Sequence, residues 1–208
     1  MAQKTLPRWK AQGYRIALML DEGAPVPFDD ADYVYTGTFR SWAIENNALC
    51  RYIYISDPKM TAVITGGDDI YPAEDKTAQE LEAEFLEHFP DTFGIMQPVG
   101  DGFCGNGQAA VSPWMGREWI RRGYGGNGPF FEGYGHFCPD TELCAVARNL
   151  GIYWDRPDVS QFHAHWTRLP QEERKPWAHL GHAQDFRIHD RDLFQARKAS
   201  GFPGSEPL

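Results

Sequence analysis

The stretch that most constrains the fold of this chain runs from Thr61 to Pro72 and reads TAVITGGDDIYP. Residues 62–64, Ala-Val-Ile, form a short apolar run rich in β-branched side chains, which predicts a buried strand. Two glycines and then Asp68 and Asp69 follow, and we expect Pro72 to begin the next helix. Ligands bind at the carboxyl ends of strands in open α/β sheets, and paired carboxylates there suit a cation. The alternative is that both aspartates only cap and solvate a turn.

Apolar runs of strand length alternate with helical patterns along the rest of the chain. This alternation predicts an α/β fold with a mostly parallel sheet flanked by helices. We expect one domain over residues 1–208, with a core at about 14–166 and a C-terminal extension, 167–208, that contains a helix. Strands are predicted at 14–20, 33–35, 62–65 and 93–97, helices at 41–54, 73–89, 115–122 and 140–150, glycine-rich loops at 100–110 and 123–135, and an amphipathic helix within 190–204.

Charge and composition exclude some classes of partner. The net charge is −9 and no Lys/Arg cluster is longer than a pair, so the sequence does not predict nucleic-acid binding. No apolar segment is long enough to span a bilayer, and the N-terminus lacks the apolar stretch of a signal peptide. The four cysteines show no CxxC spacing, which favours reduced thiols. We therefore expect a cytoplasmic protein without a membrane span.

Further polar side chains stand where strands end or helices begin. Asp21 follows the first predicted strand, and Asp140 and Glu142 begin the helix at 140–150. Asn46 and Asn47 lie inside a predicted helix, where asparagine is unfavourable, and this hints at a function for one of them. The alternative for Asp140 is a helix N-cap, the common role of an aspartate at that position.

Two imidazoles complete the set of candidate ligands. His163 and His165 alternate along a predicted extended segment, so their side chains share one face. Carboxylate with imidazole suits Mn²⁺, Zn²⁺ or Fe²⁺, whereas carboxylate alone suits Mg²⁺ or Mn²⁺. Either histidine has the alternative role of a hydrogen-bonded core residue.

In their order along the chain, these features resemble the family 2 glycosyltransferases with the GT-A fold. The resemblance covers about residues 14–166 and is most specific at GDDIYP, 67–72, and at FCPDTEL, 137–143. It implies a GT-A-like, Rossmann-like fold that is N-terminally shortened, because residues 1–13 match only the end of the helix after the family's first strand. The first Asp of the family's Asp-x-Asp motif falls on Gly66, which leaves Asp68 as the metal ligand.

The resemblance implies inverting transfer of a sugar from a nucleotide-sugar, such as a UDP- or GDP-sugar, to the hydroxyl of an unknown acceptor, with Mn²⁺ or Mg²⁺. Aromatic side chains in the loops before the predicted base are candidates for stacking on an acceptor sugar. The candidate residues are Asp21, Asn46, Asn47 and Gly67 for the nucleotide, Asp68, Asp69, His163 and His165 for the metal, Asp140 as general base with Glu142 beside it, and Trp114, Tyr124, Tyr134 and His136 for the acceptor.

Two other functions stay open at this stage. The chain is expected to be either the transferase or, as an alternative, a non-catalytic sugar-nucleotide or glycan-binding protein on the same fold. A metal-dependent hydrolase would use His163 and His165 with water as the attacking group. A protein partner or a second copy of the chain is a candidate source of the missing sheet edge.

Overall fold

The computed structural model describes residues 1–103, 108–168, 170–173 and 180–208. They form six helices and six strands, with two short 3₁₀ turns before the last helix. The helices are α1 (Ala2–Ala11), α2 (Trp42–Ser56), α3 (Ala78–His88), α4 (Arg117–Gly126), α5 (Pro139–Asn149) and α6 (Leu180–Ala199). The strands are β1 (Ala17–Asp21), β2 (Tyr33–Gly37), β3 (Ala62–Ile64), β4 (Ile95–Pro98), β5 (Trp114–Gly116) and β6 (Tyr153–Arg156).

The strands form two sheets. β1 and β2 pair in parallel, and the larger sheet has the order β3-β5-β4-β6. β5 is antiparallel to both of its neighbours, whereas β4 and β6 are parallel. The predicted α/β fold with flanking helices is therefore confirmed, but the prediction of a mostly parallel sheet is wrong, because the larger sheet is mixed.

The four-stranded sheet is covered on both faces. Ile95 and Met115 pack into a cluster with α2, α4 and α5, whereas their neighbours Met96 and Trp114 pack against Phe85 of α3. Alternate residues of a strand point to opposite faces, so each strand serves both layers. None of the described helices is long and apolar enough to cross a membrane.

Side-chain caps decide where two of the helices begin. Ser41 caps α2 as predicted, since its hydroxyl accepts a hydrogen bond from the Ile44 N–H at 3.2 Å. α3 begins five residues later than predicted, at a capping box in which Thr77 and Glu80 each accept from the other's backbone N–H. The box satisfies two N–H groups that a helix start leaves unpaired, and Pro72 therefore does not begin this helix.

The segment predicted as a helix at 115–122 begins with a strand. β5 occupies 114–116, and α4 follows directly and kinks at Tyr124 and Gly125, which both have positive φ. Gly116 lies so close to the Thr92 carbonyl that a Cβ atom there would clash with it. This close approach requires glycine and fixes the position where strand changes to helix.

Candidate functional site

A cavity of about 480 Å³ opens beside the loop that follows β3. It brings together six candidate side chains that are separated by up to about half of the chain. They are Asp68, Asp69, His136, Asp140, His163 and His165. Trp42, Phe103 and Phe137 also line the cavity and were not predicted as site residues. Trp42 directly follows the helix cap at Ser41, and Phe137 lies in the FCPDTEL motif. These positions are the sequence signals that could have indicated Trp42 and Phe137 as cavity residues.

Backbone pairing holds the histidine segment against the aspartate loop. Ile70 and His163 form an antiparallel bridge, and the Ala164 N–H donates to the Asp69 carbonyl at 2.8 Å. As a result His163 Nε2 lies 3.2 Å from Asp69 Oδ2. The His163 and His165 ring centroids are 5.1 Å apart, consistent with the shared face that alternation predicts.

The protonation states of Asp69 and His165 suit ligation of a cation. Burial raises the pKa of Asp69, but the hydrogen bond and charge of His163 outweigh it and leave the pKa below its ordinary value. Burial, followed by the charge of His163, lowers the pKa of His165. Near neutral pH Asp69 is therefore ionised and His165 neutral, which are the states in which these side chains bind metal.

Asp68 has a different environment from Asp69. Its Oδ2 accepts a hydrogen bond from the Ala2 N–H at 2.9 Å and lies 3.5 Å from the Met1 amino group. The carboxylate therefore stabilises the positive end of α1. In the described part of the chain no three His, Cys, Asp or Glu side chains are arranged to hold a metal ion. Mg²⁺ in particular is commonly held by one or two protein carboxylates together with substrate phosphates. Asp68 and Asp69 are two such carboxylates.

Asp140 lies in the first turn of α5, on the wall of the cavity. Cys138 has positive φ and turns the chain into Pro139 at the helix start. The Asp140 carboxylate accepts a hydrogen bond from the Thr141 N–H at 2.8 Å. The backbone carbonyl of Asp140 accepts a hydrogen bond from the Ala110 N–H at 3.0 Å. Burial raises the pKa of Asp140, and the hydrogen bonds from Thr141 offset this only in part. A carboxylate with a raised pKa is a stronger base toward a hydroxyl proton.

The loop before Asp140 is held in place by α6. The completely buried carboxylate of Asp190 accepts hydrogen bonds from the N–H groups of Gly135, His136 and Phe137 at 2.7–2.9 Å. Burial raises the pKa of Asp190, but these bonds together with His189 lower it below the ordinary value of 3.8. One side chain of α6 thus fixes the loop that carries two of the cavity's side chains.

Substitution of Asp190 by Ala is expected to destabilise the protein by about 2–4 kcal/mol, because three partly buried N–H groups lose their acceptor. Asp190→Asn keeps the shape and one acceptor oxygen, so we expect an intermediate loss. Because the pKa is lowered by folding, the contribution of Asp190 is complete above pH 3.8 and declines as the pH falls toward the lower folded value. Urea unfolding at pH 7 and pH 3 measures both effects, and equal losses at the two pH values would contradict the assignment.

Four of the other predicted site residues lie in the core rather than at the cavity. Glu142 is completely buried and accepts hydrogen bonds from Tyr134 Oη at 2.6 Å and from both Nε and Nη2 of Arg197. Trp114 and Tyr124 are also buried, and Trp114 Nε1 donates to Gln161. The structure therefore gives Glu142 the role of a buried ion-pair partner, and Trp114, Tyr124 and Tyr134 are not placed to stack on an acceptor.

The predicted nucleotide-binding residues are dispersed. Asp21 ends β1, is exposed, and accepts a hydrogen bond from the Phe39 N–H. Asn47 is buried and exchanges hydrogen bonds with the backbone of Phe130. Asn46 donates to the Trp42 carbonyl and lines a second cavity. Gly67 lines both the first and the second cavity. The structure does not bring Asp21 or Asn47 to either cavity.

Comparison of the chain with protein-family models, with curated proteins and with solved structures found no match. A proposal of function therefore rests on the residues of the cavity and on their chemistry.

Proposed function

We propose that this protein is a metal-dependent inverting glycosyltransferase with a GT-A-like fold, which moves a sugar from a nucleotide-sugar donor to an acceptor hydroxyl. The observation that supports the proposal is the meeting, in one cavity, of the Asp69–His163 pair with Asp140 at the start of α5. Asp69 supplies an ionised carboxylate, His163 supplies an imidazole, and Asp140 supplies a base whose pKa is raised. Sugar transfer needs both kinds of group in the same space.

Asp69 and His163 would hold Mn²⁺ or Mg²⁺, with Asp68 beside them. When bound, the cation neutralises the negative charge that develops on the departing nucleoside diphosphate. Asp68 now stabilises the start of α1, so its participation requires that it exchange the Ala2 N–H for the cation. The loop glycines Gly66 and Gly67 allow this loop to lie close to a diphosphate, as small residues do in other phosphate sites.

Asp140 acts as the general base in this proposal. Inverting transfer needs a base that takes the acceptor's proton on the face of the sugar opposite the leaving group. The N-terminus of α5 favours the ionised carboxylate, while burial makes that carboxylate a better proton acceptor. His136 and Phe137, which Asp190 holds in place, line the space where the acceptor would lie.

A titration of nucleoside diphosphates by calorimetry tests the donor site. One nucleotide is expected to bind in the presence of Mn²⁺ and not in its absence. Asp69→Asn is expected to weaken that binding by about tenfold or more, since even the outer partners of metal ligands contribute roughly 10- to 100-fold. Asp30→Asn, at an exposed position away from the cavity, serves as the matched control.

The outcome separates the three functions. Metal-dependent nucleotide binding together with transfer of the sugar supports the transferase. Metal-dependent nucleotide binding without turnover, whichever acceptor is added, supports the sugar-nucleotide-binding alternative. Cation binding with no affinity for any nucleotide contradicts both and favours a hydrolase that uses water.

A further inference from the structure

The two sheets face each other across a second cavity. β1 has β2 as its one neighbour and β3 has β5, so each strand has a free edge within the described residues. A cavity of about 260 Å³ lies between these edges and is lined by residues 14–17 and by residues 62–67. Native sheets normally pair or cover such edges.

The hydrogen bonds of β3 show which of its backbone groups face this cavity. The Arg117 N–H donates to the Thr61 carbonyl at 2.8 Å, and the Thr65 N–H donates to the Pro113 carbonyl at 3.3 Å. Residues 61, 63 and 65 therefore face β5. Because successive residues of a strand direct their backbone groups to opposite sides, those of Ala62 and Ile64 point toward the cavity.

β1 also directs backbone groups toward its free edge. The Ile16 carbonyl accepts from the Tyr33 N–H at 3.0 Å, and the Ile16 N–H donates to Asp32 Oδ2 at 2.7 Å. Ile16 therefore faces β2, and the backbone groups of the next residue, Ala17, face the opposite side. Two rows of backbone donors and acceptors thus border one cavity, and an extended peptide backbone is the type of ligand that satisfies both rows.

Apolar side chains border the cavity from two helices. Leu6 and Trp9 come from α1, and Leu49, Cys50 and Ile53 come from α2. A strand covered on both faces is a near-continuous apolar run rather than an alternating one. The environment therefore selects an apolar, β-branched segment.

We propose that an extended segment of another polypeptide, about three to five apolar residues long, inserts between β1 and β3 and joins the two sheets into one. Its backbone pairs with Ala17 on one side and with Ala62 and Ile64 on the other. Gly66 and Gly67 line both cavities, so the inserted strand also supports the loop that carries Asp68 and Asp69. The proposal does not depend on sugar transfer.

Residue-resolved amide exchange of the full chain, with synthetic peptides, tests this insertion. The probes are five-residue segments of Val, Ile and Leu, flanked by lysines for solubility. With a peptide at about ten times its Kd, exchange at Ala17, Ala62 and Ile64 is expected to slow roughly tenfold. The Val63 amide, which faces β5, changes less and serves as an internal control.

A matched peptide with proline at its centre lacks the central N–H and is expected to protect these amides much less. The proposal is overturned if no peptide slows exchange at these amides, or if the proline control protects them equally. It is also overturned if a nucleoside diphosphate alone gives the same protection, because the cavity is then a small-molecule site.

Discussion

If the chain is the proposed glycosyltransferase, Asp140→Asn is expected to reduce the rate of sugar transfer by roughly a hundred- to ten-thousandfold, the usual contribution of a general base. The variant keeps the side-chain oxygen that accepts from the Thr141 N–H, so the start of α5 is preserved. Folding raises the pKa of Asp140, which means that the ionised carboxylate is less favourable in the folded protein than in the unfolded chain. At pH 7 the variant is therefore expected to be at least as stable as the wild type while its turnover is lost.

Steady-state rates with the nucleotide-sugar identified by titration, together with urea unfolding, measure the two quantities. Nucleotide affinity should be unchanged, because in the proposed mechanism Asp140 acts on the acceptor. Asp30→Asn again controls for the loss of one carboxylate charge. A variant that transfers sugar at the wild-type rate would remove Asp140 from the mechanism. A large decrease in the free energy of unfolding alongside the loss of rate would make its role structural.

Arg197→Met is expected to destabilise the protein by about 3–5 kcal/mol, because it leaves the Glu142 carboxylate buried and without its cation. Arg197 makes two hydrogen bonds to Glu142, at 2.7 and 2.8 Å, donates to the Pro203 carbonyl, and lies over the Phe131 ring. Glu142 keeps the hydrogen bond from Tyr134 in this variant but has lost its positively charged partner. Chemical denaturation measured in parallel with the wild type gives the loss directly.

The double variant Arg197→Met/Glu142→Leu is expected to recover much of this loss, since removal of both charges leaves no buried ion. Arg121→Met is the matched control, because Arg121 pairs with Glu118 on the exposed side of α4 and its loss should have little effect. If Arg197→Met and Arg121→Met are equally stable, the buried pair does not hold α6 to α5. Glu142→Gln tests the earlier assignment of Glu142 to catalysis, and we expect an effect on stability rather than on chemistry.

Local signals in the sequence were sufficient for most of the elements. The apolar, β-branched run at 62–64 and the serine at position 41 mark β3 and the start of α2 in the local sequence. β5 and β6 were missed because Trp114–Gly116 and Tyr153–Arg156 contain no β-branched residue. Their pairing with distant strands determines them, and tertiary contacts of this kind override local propensity.

The candidate site was predictable to the extent that strand alternation and chain order imply proximity. The shared face of His163 and His165 follows from strand alternation, whereas the position of His163 beside Asp69 corresponds to what the family resemblance implied. The burial of Glu142 does not, because it depends on Arg197, which lies 55 residues later in the sequence. No local pattern distinguishes a carboxylate at the start of a helix that faces a cavity from one that faces a buried arginine.

The anchoring of the site by α6 has a consequence for the order of folding. Asp190 contacts residues 53 to 55 positions earlier, and Arg197 contacts Glu142 across an equal separation. A contact between distant residues forms only after the later residue has been synthesised, and α6 is the last helix of the described chain to be made. During synthesis on the ribosome the sheet and its covering helices can therefore assemble while the cavity wall is still open, and the chain acquires a binding-competent site only when α6 has emerged and docked.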